Sequence, residues 1–154
     1  MKILGNTALV TGGILVLGIA AGFSFMPVEG LSSQESLLAP CPDSPNCVSS
    51  LAPGGPRHVA PLSYASSRDA AIQTLVDLLE AEPSVRIVSR QADYLHAEFS
   101  SRLFKFVDDV TFYFPADAPV IHVRSASRIG YYDFGANRRR VEHLRRLLSS
   151  TASP

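Results

Sequence analysis

The feature that most constrains this chain is a run of 26 residues, 3–28, that contains no charged side chain. A helix needs about 20 apolar residues to cross the bilayer core, whereas the core of a signal peptide needs roughly 7–15. The run therefore predicts an N-terminal membrane anchor or signal peptide over residues 1–28, and only the chain that follows it can form a water-soluble fold.

The flanking residues predict the orientation of this segment. Lys2 precedes the run while Glu29 and Glu35 follow it, which places the N-terminus in the cytoplasm and the rest of the chain outside. Ala20-Ala21-Gly22 offers a small-x-small cleavage site. We therefore expect a membrane-anchored protein with its domain in the periplasm or, if the segment is cleaved, a domain secreted to the periplasm.

The net charge of zero conceals an asymmetry along the chain. Residues 29–119 carry six Lys and Arg against twelve Asp and Glu, whereas residues 120–154 carry seven Arg against two acids. The basic end either pairs with the acidic part or faces an anionic partner. A neutral total, with no aromatics interleaved among the arginines on a repeated strand pattern, argues against nucleic acid as that partner.

Residues 29–57 are rich in Ser, Pro and Gly and predict a linker before an α+β domain over residues 58–150. The linker contains Cys41 and Cys47. In an oxidising compartment such a pair most simply forms a disulfide around a Pro-containing loop. A metal pair would need further His or Cys at ligand spacing, and a redox pair would follow Cys-x-x-Cys.

Hydrophobic periodicity predicts two helices. Residues 66–69 resemble a capping box, and Pro83 ends the helix that follows. Its apolar stripe is Ile72, Leu75, Val76 and Leu79. A second helix is predicted over residues 137–148, and its stripe is Val141, Leu144 and Leu148.

Short β-branched or alternating segments predict strands over residues 58–62, 85–89, 94–99, 109–114 and 120–125, the last two as a hairpin. The order of elements indicates an α+β fold. We expect an antiparallel sheet of four to five strands with two helices packed on one face, preceded by the N-terminal transmembrane or signal helix.

The arginines near the second helix predict an anion site. If Asn137 caps that helix, three arginines occupy its first turn, where each cation is unfavourable by roughly 0.3–1 kcal/mol. A bound anion would offset this repulsion. The residues of the predicted anion site are Arg124, Ser125, Ser127, Arg128, Asn137, Arg138, Arg139 and Arg140.

Two alternatives to the anion site need no ligand. In the first, acidic residues pair with the arginines inside the fold. The acids available for this are Asp108, Asp109, Asp133 and Glu142. In the second, the helix begins earlier, capped by Asp133, so that the arginines leave its first turn.

The sequence gives little indication of a catalytic site. Asp108 and Asp109 are adjacent on a predicted strand and point to opposite faces, so they are not expected to share a proton. His96 and Glu98 share a face, and with His122 they form a hypothetical metal site, although a half-buried structural His is the simpler interpretation. The sequence contains no nucleophile elbow and no Gly-rich phosphate loop. We therefore assign no catalytic residue, metal ligand or cofactor.

Several segments together resemble a known family. They are Cys41-Pro-Asp-Ser-Pro-Asn-Cys47-Val-Ser-Ser, the stretch from Ala97 to Asp109, Arg124-Ser-Ala-Ser-Arg128, and Asn137-Arg138-Arg139-Arg140-Val-Glu142. From about Leu38 to Leu148 the chain resembles the domain of unknown function 1499 family. Thr111 departs from the acidic residue that often stands at its position, which weakens one expected ion pair. The resemblance implies an exported or membrane-associated bacterial or plastid-type protein, and no particular activity.

The sequence thus predicts a membrane-tethered extracytoplasmic domain that binds an anionic group, either a lipid headgroup or an acidic small molecule. Its expected partners are the membrane, through the N-terminal segment, and an anionic lipid or an acidic protein. The alternative function is that of an interaction or assembly protein in a membrane complex. A hydrolase or metal enzyme has the least support.

Overall fold

The computed structural model describes residues 38–101 and 104–151. The predicted anchor over residues 1–28, and residues 29–37 of the predicted linker, lie outside this part of the chain. Within it, neither helix combines the length and the apolar character needed to cross a bilayer. The membrane segment therefore stays a prediction from the sequence.

The described residues form an α+β fold with an antiparallel sheet and two helices. The elements are β1 (Cys47–Ser49), β2 (Leu62–Ser63), α1 (Arg68–Glu80), β3 (Val85–Arg90), β4 (Tyr94–Ser100), β5 (Val107–Tyr113), β6 (Val120–Ser127) and α2 (Ala136–Thr151), with a short 3-10 helix at Gly55–Arg57. Five strands follow the order β1-β6-β5-β4-β3, and β2 pairs with β6 outside this path. The predicted class is confirmed, with one strand more than the four to five expected.

Side-chain alternation gives the sheet an apolar inner face. Its fully buried residues on the central strands are Leu95 and Ala97 on β4, Val110 and Phe112 on β5, and Ile121 and Val123 on β6. The buried stripes of α1 and α2 belong to the same core, so both helices pack on this inner face. The opposite, outer face carries mainly polar and ionisable side chains.

Both helices form where the periodicity predicts them. Ser67 caps α1, and its hydroxyl accepts a hydrogen bond from the Ala70 N–H at 3.3 Å. The predicted stripe of α1 is buried throughout. The α2 helix begins one residue earlier than predicted and continues three residues further, to Thr151, with its predicted stripe buried.

The chain before residue 66 differs from the prediction. The strand β1 lies inside the predicted linker and pairs with β6, where Cys47 stands opposite Ala126. The strand predicted over residues 58–62 is reduced to β2, which also pairs with β6. Pro61 has no N–H to give to a sheet. Both strands are too short to show an alternating pattern. They form because each pairs with β6.

The predicted disulfide is confirmed between Cys41 and Cys47, whose Cα atoms lie 5.6 Å apart. We call residues 41–47 the disulfide loop. Asn46 in this loop donates from Nδ2 to the Gly130 carbonyl at 2.5 Å, and its own carbonyl accepts from the Ser127 N–H at 3.0 Å. The disulfide loop is thus fixed to the end of β6, beside the segment that joins β6 to α2.

Candidate functional site

The eight residues of the predicted anion site do not form one cluster, and side-chain alternation along β6 separates those between positions 124 and 128. Arg124 lies on the outer face of the sheet, whereas Ser125 is fully buried on the inner face between Val48 and Val110. Arg128 continues the outer series and Ser127 the inner one. The structure therefore distributes these residues among three environments.

The first environment is an ion network on the outer face. Arg128 donates from Nε and Nη2 to the two carboxylate oxygens of Asp109, each at 2.7 Å, and Nη2 also donates to Glu98. Arg86 donates to the second oxygen of Glu98, and His96 Nε2 lies 2.7 Å from Asp109 Oδ1. Hydrogen bonds from Arg128 hold the pKa of both carboxyls below their usual values. Two arginines and two carboxylates neutralise one another here.

Arg124 lies beside this network, opposite Thr111 on β5. Arg124 Nε and Thr111 Oγ1 are buried atoms that have no hydrogen-bond partner within the described ranges. Burial lowers the pKa of the Arg124 guanidinium, and it raises the pKa of the nearby Tyr94 hydroxyl. A carboxylate at position 111 would lie opposite Arg124, and Thr111 provides no negative charge there, so Arg124 is the partner to which the expectation of a weakened ion pair applies.

The second environment is a buried polar network on the inner face, centred on Asn137. The Asn137 side chain is 0% exposed. Its Nδ2, with two N–H groups to donate, lies 2.8–3.0 Å from three acceptors, the Asn46 carbonyl, Ser127 Oγ and Asp133 Oδ2, and its Oδ1 accepts from Ser125 Oγ at 2.6 Å. The network thereby joins the disulfide loop, the end of β6 and the start of α2.

Arg140 completes this network. It donates from Nη1 to Ser125 Oγ and to Asn137 Oδ1, from Nη2 to Asp108, and its guanidinium lies 4.7 Å from the centre of the Phe99 ring. Internal pairing, which the sequence left open as an alternative to an anion, thus holds for Arg140. Asp108 and Asp109 point to opposite faces as expected, and each pairs with its own arginine.

Asp133, and not Asn137, caps α2. Its carboxylate accepts from the N–H groups of Gly135 and Asn137 at 2.8 and 2.9 Å. Burial alone would raise the pKa of Asp133, but these backbone donors together with the Asn137 amide lower it. The helix begins only one residue before Asn137, so Arg138 and Arg139 remain in its first turn.

The third environment is the exposed side of α2. Arg138 donates to the carbonyls of Pro56 and His58 at 2.7 and 2.8 Å, and Arg139 donates to the Phe134 carbonyl at 2.7 Å. Further along the helix, Arg145 donates to the carbonyls of Ala60 and Pro61. Arginines on α2 therefore hold the irregular segment 56–61 in place by binding carbonyls that a strand would otherwise pair.

A cleft of about 760 Å³ opens between the disulfide loop, residues 51–57 and the start of α2. Most of its lining is apolar. The lining residues are Leu38, Pro40, Cys41, Pro45, Cys47, Val48, Ser49, Leu51, Ala52, Pro53, Gly54, Pro56, Arg57, Tyr132, Asp133, Gly135 and Arg138. Drug-sized ligands occupy cavities of roughly 300–1,000 Å³ that are mostly apolar with a few convergent polar groups, and this cleft has that size and character.

Two arginines and one carboxylate line the cleft. The carboxylate, Asp133, is occupied by capping α2. Arg138 meets only backbone carbonyls among the partners that the described residues provide. Arg57 donates to the Asp43 carbonyl, and its nearest carboxylate oxygen, on the fully exposed Asp43, lies 3.9 Å away. Among residues 38–101 and 104–151, no strong ion pair offsets the positive charge of Arg57 and Arg138 in the cleft.

The three hypothetical metal ligands each have a partner within the fold. His96 faces Asp109, Glu98 faces two arginines, and His122 Nδ1 lies 3.2 Å from Ser50 Oγ. Burial lowers the pKa of His122. In ranges 38–101 and 104–151, no group of three or more His, Cys, Asp or Glu side chains is placed to hold a metal ion.

Sequence reasoning missed most of the cleft. Of the predicted anion site, only Arg138 lines it. Leu38, Leu51 and Ala52 lie in the range that the composition predicted to be a linker. The sequence does contain a signal for this packing. Apolar side chains recur on both sides of the predicted disulfide, and a linker that packs against nothing would not bury them.

Comparison with protein families identifies the family of this chain. The model of the family described as "Protein of unknown function (DUF1499)" matches residues 37–148, which include the whole described fold except the last turn of α2. This confirms the resemblance seen in the sequence segments. The comparison with curated proteins gave no match.

Proposed function

The chain belongs to the DUF1499 family, and from that premise we propose a membrane-tethered, extracytoplasmic binding module whose cleft accepts an apolar ligand with an anionic group. The proposal keeps the anionic ligand expected from the sequence. It moves the binding site from the eight-residue arginine cluster to the cleft, in which Arg138 is the one residue shared with that cluster.

The observation that carries the proposal is the position of Arg138 in an apolar cleft without a carboxylate partner among the described residues. Arg138 lies in the first turn of α2, where a cation is unfavourable by roughly 0.3–1 kcal/mol. The neighbouring Arg140 is neutralised by Asp108. A ligand carboxylate or phosphate at Arg138 would provide the missing negative charge and accept charge-assisted hydrogen bonds.

The shape of the cleft supports an apolar body for the ligand. Prolines and aliphatic side chains from the disulfide loop and residues 51–57 line its walls. A fully hydrophilic anion would leave this apolar surface in water, whereas an acyl chain or similar body would bury it, a gain of roughly 25 cal/mol per Å². An amphipathic acid fits both halves of the lining.

Two observations support the tether and the compartment. Residues 3–28 form an uncharged run long enough to span a bilayer. The Cys41–Cys47 disulfide is typical of proteins that fold in an oxidising compartment. Both agree with a domain held on the outer side of the membrane, beside the lipids, which include amphipathic acids.

A pair of matched probes tests the proposal. The full chain is placed in lipid nanodiscs and titrated calorimetrically with decanoate and with decanol, which share a chain and differ in charge. Arg138→Gln is expected to weaken decanoate binding about tenfold to a hundredfold, the effect of one lost charge-assisted hydrogen bond, and to leave decanol binding unchanged.

The control is Arg146→Gln, which removes an exposed arginine of the same helix away from the cleft. It is expected to bind both probes as the unmodified chain does. If Arg138→Gln and Arg146→Gln bound decanoate equally well, the proposed role of the cleft would be wrong.

A further inference from the structure

Two loops at one end of the sheet expose large apolar side chains. One joins β4 to β5 and the other joins β6 to α2; we call them together the aromatic end. Its exposed residues are Phe104 (68%), Phe106 (52%), Ile129 (70%), Tyr131 (75%), Tyr132 (57%) and Phe134 (78%). Apolar side chains scattered singly on a surface need no explanation, but a cluster of this kind indicates an interaction site.

The strand register brings the two loops together. Asp108 on β5 stands opposite Ser127 on β6, and one step further the Arg128 N–H donates to the Val107 carbonyl at 3.1 Å. Phe106 and Ile129 are the next residues outward on each side of this pair. The two loops therefore emerge side by side and form one surface.

The exposed rings contact each other in pairs, and two residues of these loops have unusual backbone conformations. Phe104 and Phe106 stack on each other at 5.6 Å between ring centroids, and Tyr132 meets Phe134 edge-on at 5.1 Å. Within residues 38–101 and 104–151, the non-glycine residues with positive φ are Lys105 at 53° and Phe134 at 54°. Bulky side chains rarely adopt this region, and such strain concentrates at functional segments.

We infer that the aromatic end is a membrane-docking surface that inserts its aromatic side chains into the interface of the bilayer to which the chain is tethered. The inference rests on the tether of the proposed function and not on its ligand. It commits to a lipid surface as the partner, and the reasons are the position of the tether and the charge of the loops.

The described part of the chain begins at this end. Leu38, the first described residue, lines the same cleft as Tyr132. Only nine residues, 29–37, separate it from the apolar run that ends at Val28, and nine extended residues span at most about 33 Å. The cleft and the aromatic end are thus held near the bilayer surface.

Charge and residue type also fit a bilayer. Tyr is enriched at the boundary between lipid and water, and Phe occurs on the apolar face of segments that lie in that boundary. The exposed Lys105 and Arg139 flank the rings, whereas the acid of the β6–α2 loop, Asp133, faces inward as the cap of α2. Basic side chains around apolar ones favour an anionic lipid surface.

Single-tryptophan variants test this inference, because the chain contains no Trp of its own. Phe134→Trp and Phe106→Trp place the probe at the aromatic end. Ala116→Trp is the control, in the exposed turn between β5 and β6 at the opposite end of the sheet, roughly 20 Å away along the strands. Each full-length variant is reconstituted in vesicles of phosphatidylglycerol and phosphatidylcholine, with or without bromine on the acyl chains.

Brominated lipid is expected to quench most of the fluorescence of Phe134→Trp and Phe106→Trp and to leave Ala116→Trp unaffected. In vesicles without bromine, the emission of the first two variants is expected at shorter wavelength than that of Ala116→Trp. Equal, weak quenching of all three variants in chains that float with the vesicles would overturn the docking surface while the tether stands; the aromatic end would then be free for a protein partner. Chains that fail to float would overturn both tether and docking.

Discussion

At the scale of single residues, the arrangement around Asn137 shows how a side chain that looks functional in the sequence serves the fold. Its amide is fully buried and bonded to the disulfide loop, to β6 and to the cap of α2. Each of these partners is itself a buried or half-buried polar group. Removing the amide would leave them without hydrogen bonds in a place that water does not reach freely.

We therefore predict that Asn137→Ala lowers the free energy of unfolding by about 2–3 kcal/mol, the cost of leaving buried polar groups unpaired. Urea unfolding of the full chain in detergent, followed by circular dichroism, measures this. Ser149→Ala, an exposed position on the same helix, is the control and is expected to change little. Equal stabilities of the two variants would contradict the structural role of Asn137.

Acid sensitivity belongs to the same scale. The pKa values of Glu98 and Asp109 are lowered in the folded state, chiefly by hydrogen bonds from Arg128. The folded protein therefore binds fewer protons than the unfolded chain, and stability rises with pH between the folded and unfolded pKa values. The contribution of these two carboxylates to stability is present in full above the ordinary pKa values of Asp and Glu, about 4. It is lost as the pH falls through their lowered pKa values in the folded state.

The matching prediction is that Arg128→Gln makes stability less dependent on pH below about pH 5. Urea midpoints measured at a series of pH values compare this variant with Arg146→Gln, which keeps the network intact. If both variants lost stability with acid along the same curve, Arg128 would not be the cause of the lowered pKa values.

The difference between the predicted and the observed site also arises at this scale. Alternation correctly predicts that Asp108 and Asp109 point to opposite faces, since both lie near the start of β5. The same rule places Arg124 and Ser125 on opposite faces, and both lie within the predicted strand 120–125. Ser127 lies beyond the predicted end of that strand, but β6 continues to it, so that it shares the inner face with Ser125.

At the scale of elements, those with a local signal were predictable and those defined by a distant partner were not. The helices carry their own periodicity and caps, and the strands β3 to β6 are long enough to show their pattern. By contrast, β1 and β2 consist of three and two residues and exist because both pair with β6. Their pairing across about 60–80 residues of chain leaves no trace in a local pattern.

The disulfide loop is the element whose loss is easiest to test. The disulfide joins two cysteines that are six residues apart in the sequence, and the loop between them forms part of the cleft wall. For a loop this short, the entropy model gives about 2 kcal/mol of stabilisation. We predict that changing both Cys41 and Cys47 to Ser lowers the free energy of unfolding by about this amount and weakens decanoate binding.

Urea unfolding with and without a reducing agent measures the effect of the disulfide. The unmodified chain is expected to lose stability on reduction, whereas the double Ser variant is expected to be unaffected by the reducing agent. If the double variant had the urea midpoint of the oxidised unmodified chain, the disulfide would contribute nothing to the fold.

At the scale of the whole molecule, three features lie at one end of the fold. The chain enters at Leu38, the cleft opens between the disulfide loop and the start of α2, and the aromatic end projects beside it. The buried network around Asn137 joins the parts that carry these features. If both the docking surface and the ligand site proposed for this protein are right, this end faces the bilayer, and an amphipathic acid enters the cleft from the membrane side.

Native mass spectrometry of the full-length protein tests the cleft as the binding site. The protein is released in mild detergent from the membrane in which it was produced. Three variants are compared with the unmodified chain: Arg138→Gln removes the cleft cation, Ala52→Phe fills the cleft, and Arg146→Gln is the control. If the cleft is the binding site, the unmodified chain and Arg146→Gln retain an acidic amphiphile, and the other two variants lose it. A chain that carries no such mass, or one that keeps it in all three variants, would contradict the cleft as the binding site.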